Sequence, residues 1–114
     1  MNSIERRGGG TREDKEKLVD KAYVMTHPLR FRIVRALYEK GEMYVAEIAR
    51  AIGMKDKAKL VAFHLNVLAE HGLVESRYGL RKSSAVDEKG RPVVVNYFRL
   101  TDDAKRIIKM FNLI

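Results

Sequence analysis

The chain contains no cysteine and no tryptophan, only two prolines, and no long apolar run. Without cysteine there are no disulfides, thiolate metal sites, thiol nucleophiles or thiol-based redox sensors. The longest apolar stretches are short, such as Pro92-Val93-Val94-Val95, far below the roughly 18–20 residues a membrane span needs. The opening segment, Met1 to Gly10, is polar and carries no apolar core of a signal peptide. A cytoplasmic protein with no membrane association is expected. Histidine is scarce, and His27, His64 and His71 form no helical i,i+4 pair. His64 and His71 would lie two helical turns apart, roughly 10 Å, too far to share an ion. Nor is there a phosphate-cradling glycine loop or an ordered His/Asp/Ser set; Gly8-Gly9-Gly10 has no strand-to-helix context. The reading is of a non-enzyme that uses no metal and no cofactor.

What the chain does have is positive charge. Twenty-three Lys and Arg stand against 15 Asp and Glu, a net +8 over 114 residues. A small basic domain seeks polyanions: DNA, RNA or an anionic surface. The 46% hydrophobic content supports a single core in a single domain.

Residues 1–10 read as a flexible arm, either a tail with no role or one whose Arg6 and Arg7 touch phosphates, and residues 11–114 as the folded domain. Thr11 is an N-cap candidate ahead of Glu13, Asp14 and Glu16, which suit the positive end of a helix. Leu18, Ala22 and Met25 recur at helical spacing, giving a first helix over 12–25. Pro28 suits the first turn of a second helix, striped by Leu29, Ile33, Ala36 and Leu37 and ended by Gly41. Val45, Ile48, Ala49 and Ile52 define a short third helix that Gly53 stops. A fourth runs from Lys57 to His71, with Val61, Leu65 and Leu68 on one side and Gly72 beyond it. A short helix, a glycine turn and a longer helix with a basic start form a helix-turn-helix layout.

After Gly72 the period changes. Residues 73–86 and 91–100 read as an antiparallel hairpin reversing at Asp87-Glu88-Lys89-Gly90, with Gly79 as a bulge. Tyr78, Tyr97 and Phe98 read as sheet core. Thr101 caps a last helix that carries Ile107, Ile108, Met110, Phe111, Leu113 and Ile114. The fold class is therefore mainly α with a small β-hairpin, in the order α-α-α-α-β-β-α.

Three ordered stretches carry a family resemblance. His27-Pro28-Leu29-Arg30-Phe31-Arg32-Ile33-Val34-Arg35-Ala36-Leu37 is the first. Val45-Ala46-Glu47-Ile48-Ala49-Arg50-Ala51-Ile52-Gly53, followed by Phe63-His64-Leu65-Asn66-Val67-Leu68-Ala69-Glu70-His71-Gly72-Leu73-Val74, is the second. Tyr97-Phe98-Arg99-Leu100-Thr101 is the third. Together they resemble the winged helix-turn-helix regulators of the ArsR-like type. The resemblance implies a transcriptional regulator that binds double-stranded DNA, with the fourth helix in the major groove and the hairpin as a wing. Two departures stand out. The turn from Gly53 to Val61 is about two residues longer than usual, and Lys55, Lys57 and Lys59 replace the family's serine and threonine. The stretches where family metal sensors carry ligands, Met43 to Ala46 and 101–114, hold neither Cys nor His.

Since Val61, Leu65 and Leu68 must face the core, Lys59, Ala62, Phe63, Asn66 and Glu70 occupy the other side of the fourth helix. Asn66 would pair with adenine, and Ala62 and Phe63 would meet a thymine methyl. Phe63 has a second reading, packing against the wing or a dimer partner. Lys55, Lys57 and Lys59 suit phosphates near the helix start. Arg77, Arg81, Lys82, Lys89 and Arg91 make the hairpin basic: a solvated ribbon, or a wing on the backbone or minor groove. Arg30, Arg32 and Arg35 are further candidates for backbone contacts, with at least one expected in a structural ion pair. The apolar load of the first and last helices suggests a homodimer, whose two recognition helices would lie roughly 34 Å apart. Such a regulator would be cytoplasmic and nucleoid-associated; the alternatives are a low-specificity chromatin-type DNA binder and a winged-helix RNA or protein interaction module.

Overall fold

A computed structural model describes residues 12–114, with side chains from Lys15 onward. The arm read at 1–10 and the cap assigned to Thr11 lie outside the described residues. Helix α1 spans Arg12–Met25 and α2 spans Pro28–Lys40. His27 Nδ1 accepts the Leu29 N–H at 3.2 Å, so a histidine caps α2 in place of the usual hydroxyl or carboxylate. Ile33, Val34, Ala36 and Leu37 bury one face of α2. Gly41 ends it at φ 82°, returning its N–H to Leu37.

A short strand, β1 (Met43–Tyr44), leads directly into α3 (Val45–Ala51). Sequence patterning missed β1, because two residues show no period. Tyr44 ends the strand and is also the N-cap of α3, its N–H received by the Glu47 carboxylate at 3.1 Å. After Gly53 (φ 74°) the lengthened turn is a single 3₁₀ turn, Lys55–Lys57, and α4 follows at Ala58–Glu70. The extra residues are thus wound up rather than looped out. Val61, Leu65 and Leu68 on α4 are fully buried against Ile48 and Ala49 of α3 and the α2 stripe. Each such aliphatic side chain contributes about 1.5–3 kcal/mol through burial. The Arg32 guanidinium donates to the Ile52 carbonyl, tying α2 to the end of α3.

Strands β2 (Val74–Leu80) and β3 (Val94–Leu100) pair antiparallel, and β1 adds to the other side of β3, giving the order β1-β3-β2. Alternation then divides the sheet. Met43, Val74, Phe98 and Leu100 share the face that packs on the helices; Tyr44, Arg77, Gly79 and Tyr97 share the opposite face.

The hairpin differs from the sequence reading in three respects. Its ladder stops at Leu80 and Val94, and only an isolated Val86–Pro92 bridge continues the pairing. Residues 81–93 otherwise form a loop, turning at Asp87–Gly90 as expected, with Gly90 at φ 78°. Gly79 is no bulge: it pairs with Val95 in unbroken register. A Cβ there would lie 2.7 Å from Arg77 Nη1 and 3.5 Å from the Tyr97 ring, so a larger residue would push the Arg77 guanidinium aside. Finally, Tyr97 and Phe98 are buried as expected but Tyr78 is 76% exposed, since the core ends before it is reached.

Helix α5 spans Asp102–Met110, with Thr101 Oγ1 accepting the Ala104 N–H. Its apolar load is divided. Ile107 and Ile108 complete the chain's own core, while Met110, Phe111 and Ile114 stay exposed. Lys21 on α1 pairs with Asp103 on α5 at 2.9 Å, which joins the two ends of the described chain.

Candidate nucleic-acid interface

The face of α4 opposite its buried stripe is formed by Lys59, Ala62, Phe63, Asn66 and Glu70. Lys59, Asn66 and Glu70 are exposed and Ala62 is half-buried. Phe63 is 59% exposed, its only described aromatic neighbour being His64, edge-on at 5.2 Å between centroids. The ring is thus largely open to solvent in a single copy. His64 itself is buried, with Arg30 Nη1 3.3 Å from its Nδ1 and the His27 ring 4.9 Å away. Burial first, then the charges of His27 and Arg30, push its pKa below the ordinary histidine value. Because an arginine can only donate, Nδ1 is the acceptor and the neutral ring carries its proton on Nε2. His64 thus orients the Phe63 turn of the helix as a neutral, internal group.

Lys55 and Lys57 sit exposed on the 3₁₀ turn. Together with Arg50, Gly53, Met54 and Asp56 they line a cleft of about 550 Å³. Three cations against one carboxylate make it electropositive. Arg50 escaped the sequence reading because it falls on the polar side of α3, where a basic residue carries no distinguishing signal.

On the hairpin, the expected cations divide into two groups. Arg77 donates from Nε and a terminal nitrogen to both oxygens of Glu42, at 2.9 and 2.7 Å, and lies over the Tyr97 ring at 4.9 Å. Lys82 approaches the same ring at 5.1 Å and Glu42 at 3.8 Å. The Arg77 hydrogen bonds hold the Glu42 carboxyl below its ordinary pKa. The Tyr97 hydroxyl accepts the Lys82 N–H at 2.8 Å and donates to the Leu80 carbonyl at 2.9 Å. Arg77 and Lys82 therefore meet at the neck of the wing, around Tyr97. The loop beyond holds the second group. Arg81 donates to the Ser84 carbonyl, Arg91 pairs with Asp87 at 2.9 Å, and the Lys89 N–H is received by Asp87. At the wing, Glu42 and Tyr97 are the site residues that sequence reasoning missed, as it missed Arg50 on α3; Glu42 is 35 positions from Arg77 and no local pattern joins them.

The arginines of α2 are all engaged internally. Arg30 donates to the Val24 carbonyl, Arg32 to Ile52, and Arg35 pairs with Glu39, an ion pair as expected among them. Among the described residues no group of three or more His, Asp or Glu is placed to hold a metal ion, and no helix is long and apolar enough to cross a membrane.

Residues 25–77, from the end of α1 into β2, match the family model described as "Helix-turn-helix domain". With the wing and the flanking helices around that segment, the fold is defined: a winged helix-turn-helix, similar to that of DNA-binding transcriptional regulators. Among similar solved structures is the antimony-specific transcriptional repressor AntR, 22% identical with a TM-score of 0.65, the match covering 99% of this chain and 86% of that one. The transcriptional repressor BigR from Xylella fastidiosa is 29% identical with a TM-score of 0.56, covering 90% of this chain and 95% of its own. The homodimeric winged helix-turn-helix DNA-binding domain of Mb0332 from Mycobacterium bovis, a possible ArsR-family regulator, is 23% identical with a TM-score of 0.62, over 94% of this chain and 87% of that one. Comparison with curated proteins found no match.

Proposed function

We propose that this chain is a sequence-specific transcriptional regulator that binds double-stranded DNA as a homodimer and has no catalytic activity. The observation that carries the reading is the division of α4. Val61, Leu65 and Leu68 are sealed into the core, and the opposite face offers Lys59, Ala62, Phe63 and Asn66 to a major groove. Asn66 reads adenine through its amide, and Ala62 with Phe63 meets a thymine methyl. Lys55, Lys57 and Arg50 hold a phosphate at the helix-turn-helix crossing, where they supply affinity without sequence information. Arg81, Lys82, Lys89 and Arg91 follow the backbone or the minor groove from the wing, and Arg77 braces its neck.

The second copy docks on the outer faces of α1 and α5. Val19 and Tyr23 on α1 and Met110, Phe111 and Ile114 at the end of α5 are all at least 41% exposed, and no fold role accounts for them. A twofold pair sets two α4 helices roughly one DNA turn, about 34 Å, apart, so the operator is pseudo-palindromic. The working location is the nucleoid.

Salt titration of binding to operator-length duplex DNA, random DNA and duplex RNA tests this reading. A steep salt slope is expected, with one site bound at least about a thousandfold above random DNA. Lys59→Ala should weaken all DNA about equally and lower the slope by about one, whereas Asn66→Ala should narrow the gap between sites. A steep slope without discrimination would favour a chromatin-type binder, a reading suggested by the absence of arginine from α4. No salt-dependent binding at all would leave only a protein-interaction module.

A further inference from the structure

Beyond the last core layer, the helix-facing side of the wing carries a second apolar group. Register places Tyr78, Leu80 and Val94 on the same side as Val74, Phe98 and Leu100, with Leu80 directly opposite Val94. The three are 76%, 54% and 60% exposed, and none belongs to the core cluster. They are not a ragged edge of that core either. Asn96, opposite Tyr78, separates Val94 from Phe98 along β3. Tyr78 and Leu80 also stand on β2, a margin strand of the sheet with no neighbour on its outer side.

The surroundings of this patch identify its occupant. Between positions 81 and 91 the adjoining loop carries Arg81, Lys82, Lys89 and Arg91 against Asp87 and Glu88. An apolar surface flanked by excess positive charge suits a partner with apolar walls between two rows of anions. A DNA minor groove is such a partner, with sugar C–H walls and base edges between phosphate strands. We propose that Tyr78, Leu80 and Val94 form an apolar wedge that the wing presses into the minor groove beside the recognition site, partly unstacking one base step. The proposal rests on the DNA-binding reading above and extends it: part of the site preference would come from how easily that step opens, in addition to groups read by α4.

The test uses the full chain and duplexes carrying aminopurine at successive positions across the half-site flank. The unaltered protein should raise aminopurine fluorescence at one step per half-site. The Tyr78→Ala/Leu80→Ser variant should lose that rise and bind about tenfold more weakly with an unchanged salt slope, since no charge is removed. Tyr78→Phe should keep both signals, and because these side chains are exposed, the melting temperatures of all variants should stay near that of the parent. Salt-dependent binding with a silent probe would overturn the wedge alone. So would a double variant that keeps full affinity, or one whose defect follows loss of self-association in light scattering, which would assign the patch to a second copy. Absence of any salt-dependent binding by the unaltered protein would overturn the DNA reading and the wedge with it.

Discussion

Replacing Tyr97 by phenylalanine would remove one oxygen that closes the neck of the wing. The ring is 1% exposed, so its packing beside Tyr44 and beneath Arg77 and Lys82 should survive. Two hydrogen bonds would be lost, from the Lys82 N–H and to the Leu80 carbonyl. A hydrogen bond contributes about 1 kcal/mol net, and a partner left buried and unpaired costs a further 1–3 kcal/mol. The second figure applies only where water is excluded. Leu80 and residues 82–86 are exposed, so water should take over both orphaned groups. The smaller figure therefore wins, at about 2 kcal/mol for the pair, or a fall of roughly 8–12 °C in melting temperature for a domain of this size. Urea unfolding and thermal melts measure the loss. Amide exchange should localise it, with the Lys82 amide losing protection and those of Glu75 to Arg77 keeping theirs. Tyr38→Phe, at a half-exposed ring, is the control and should stay within about 0.5 kcal/mol. A Tyr97→Phe protein as stable as its parent would show that the hydroxyl does not hold the neck. A loss above about 4 kcal/mol would show that the neck is sealed from water, contrary to the exposure of the loop.

Asn96→Val should raise stability by about 1 kcal/mol in the same assay, because the Asn96 Oδ1 is closed off from solvent with no partner among the described residues. Valine also suits a strand. His64 has a folded-state pKa below the ordinary value, so the unfolded chain binds its proton more readily. Its contribution is therefore complete above about pH 6.5 and is lost as pH falls through the folded value; His64→Gln should flatten that part of the stability curve in melts from neutral to acid pH.

The helices were legible because periodicity and punctuation agree. The stripe Val61, Leu65, Leu68 identifies the buried side of α4 without coordinates, and Pro28, Gly41, Gly53 and Gly72 mark turns that real φ angles occupy. The strands were legible in kind but not in extent. Alternation tells which residues share a face, yet it cannot tell where the body beneath the sheet stops, so Tyr78 read like Tyr97. Strand β1 was invisible because its pairing with β3 is made between residues more than fifty positions apart. The candidate interface divided along the same line. Residues on α4 sit where helical geometry puts them, but a cation on the hairpin may find its partner anywhere, as Arg77 does in Glu42.

Tyr44 links the wing to the helix-turn-helix with no spare residue between them. It pairs with Tyr97 in the sheet and is at the same time the cap of α3, whose far end is held by Arg32. Wing base and helix pair consequently behave as one rigid caliper whose jaw width is set at folding. If the proposed DNA reading holds, a duplex of unsuitable groove width would have to deform to fit, with the protein's own accommodation confined to the loop at 81–93. On the proposed DNA-binding reading, such a frame would select targets partly by their stiffness, and a signal that alters the grip of the proposed dimer would act by re-spacing its two copies rather than by bending either one.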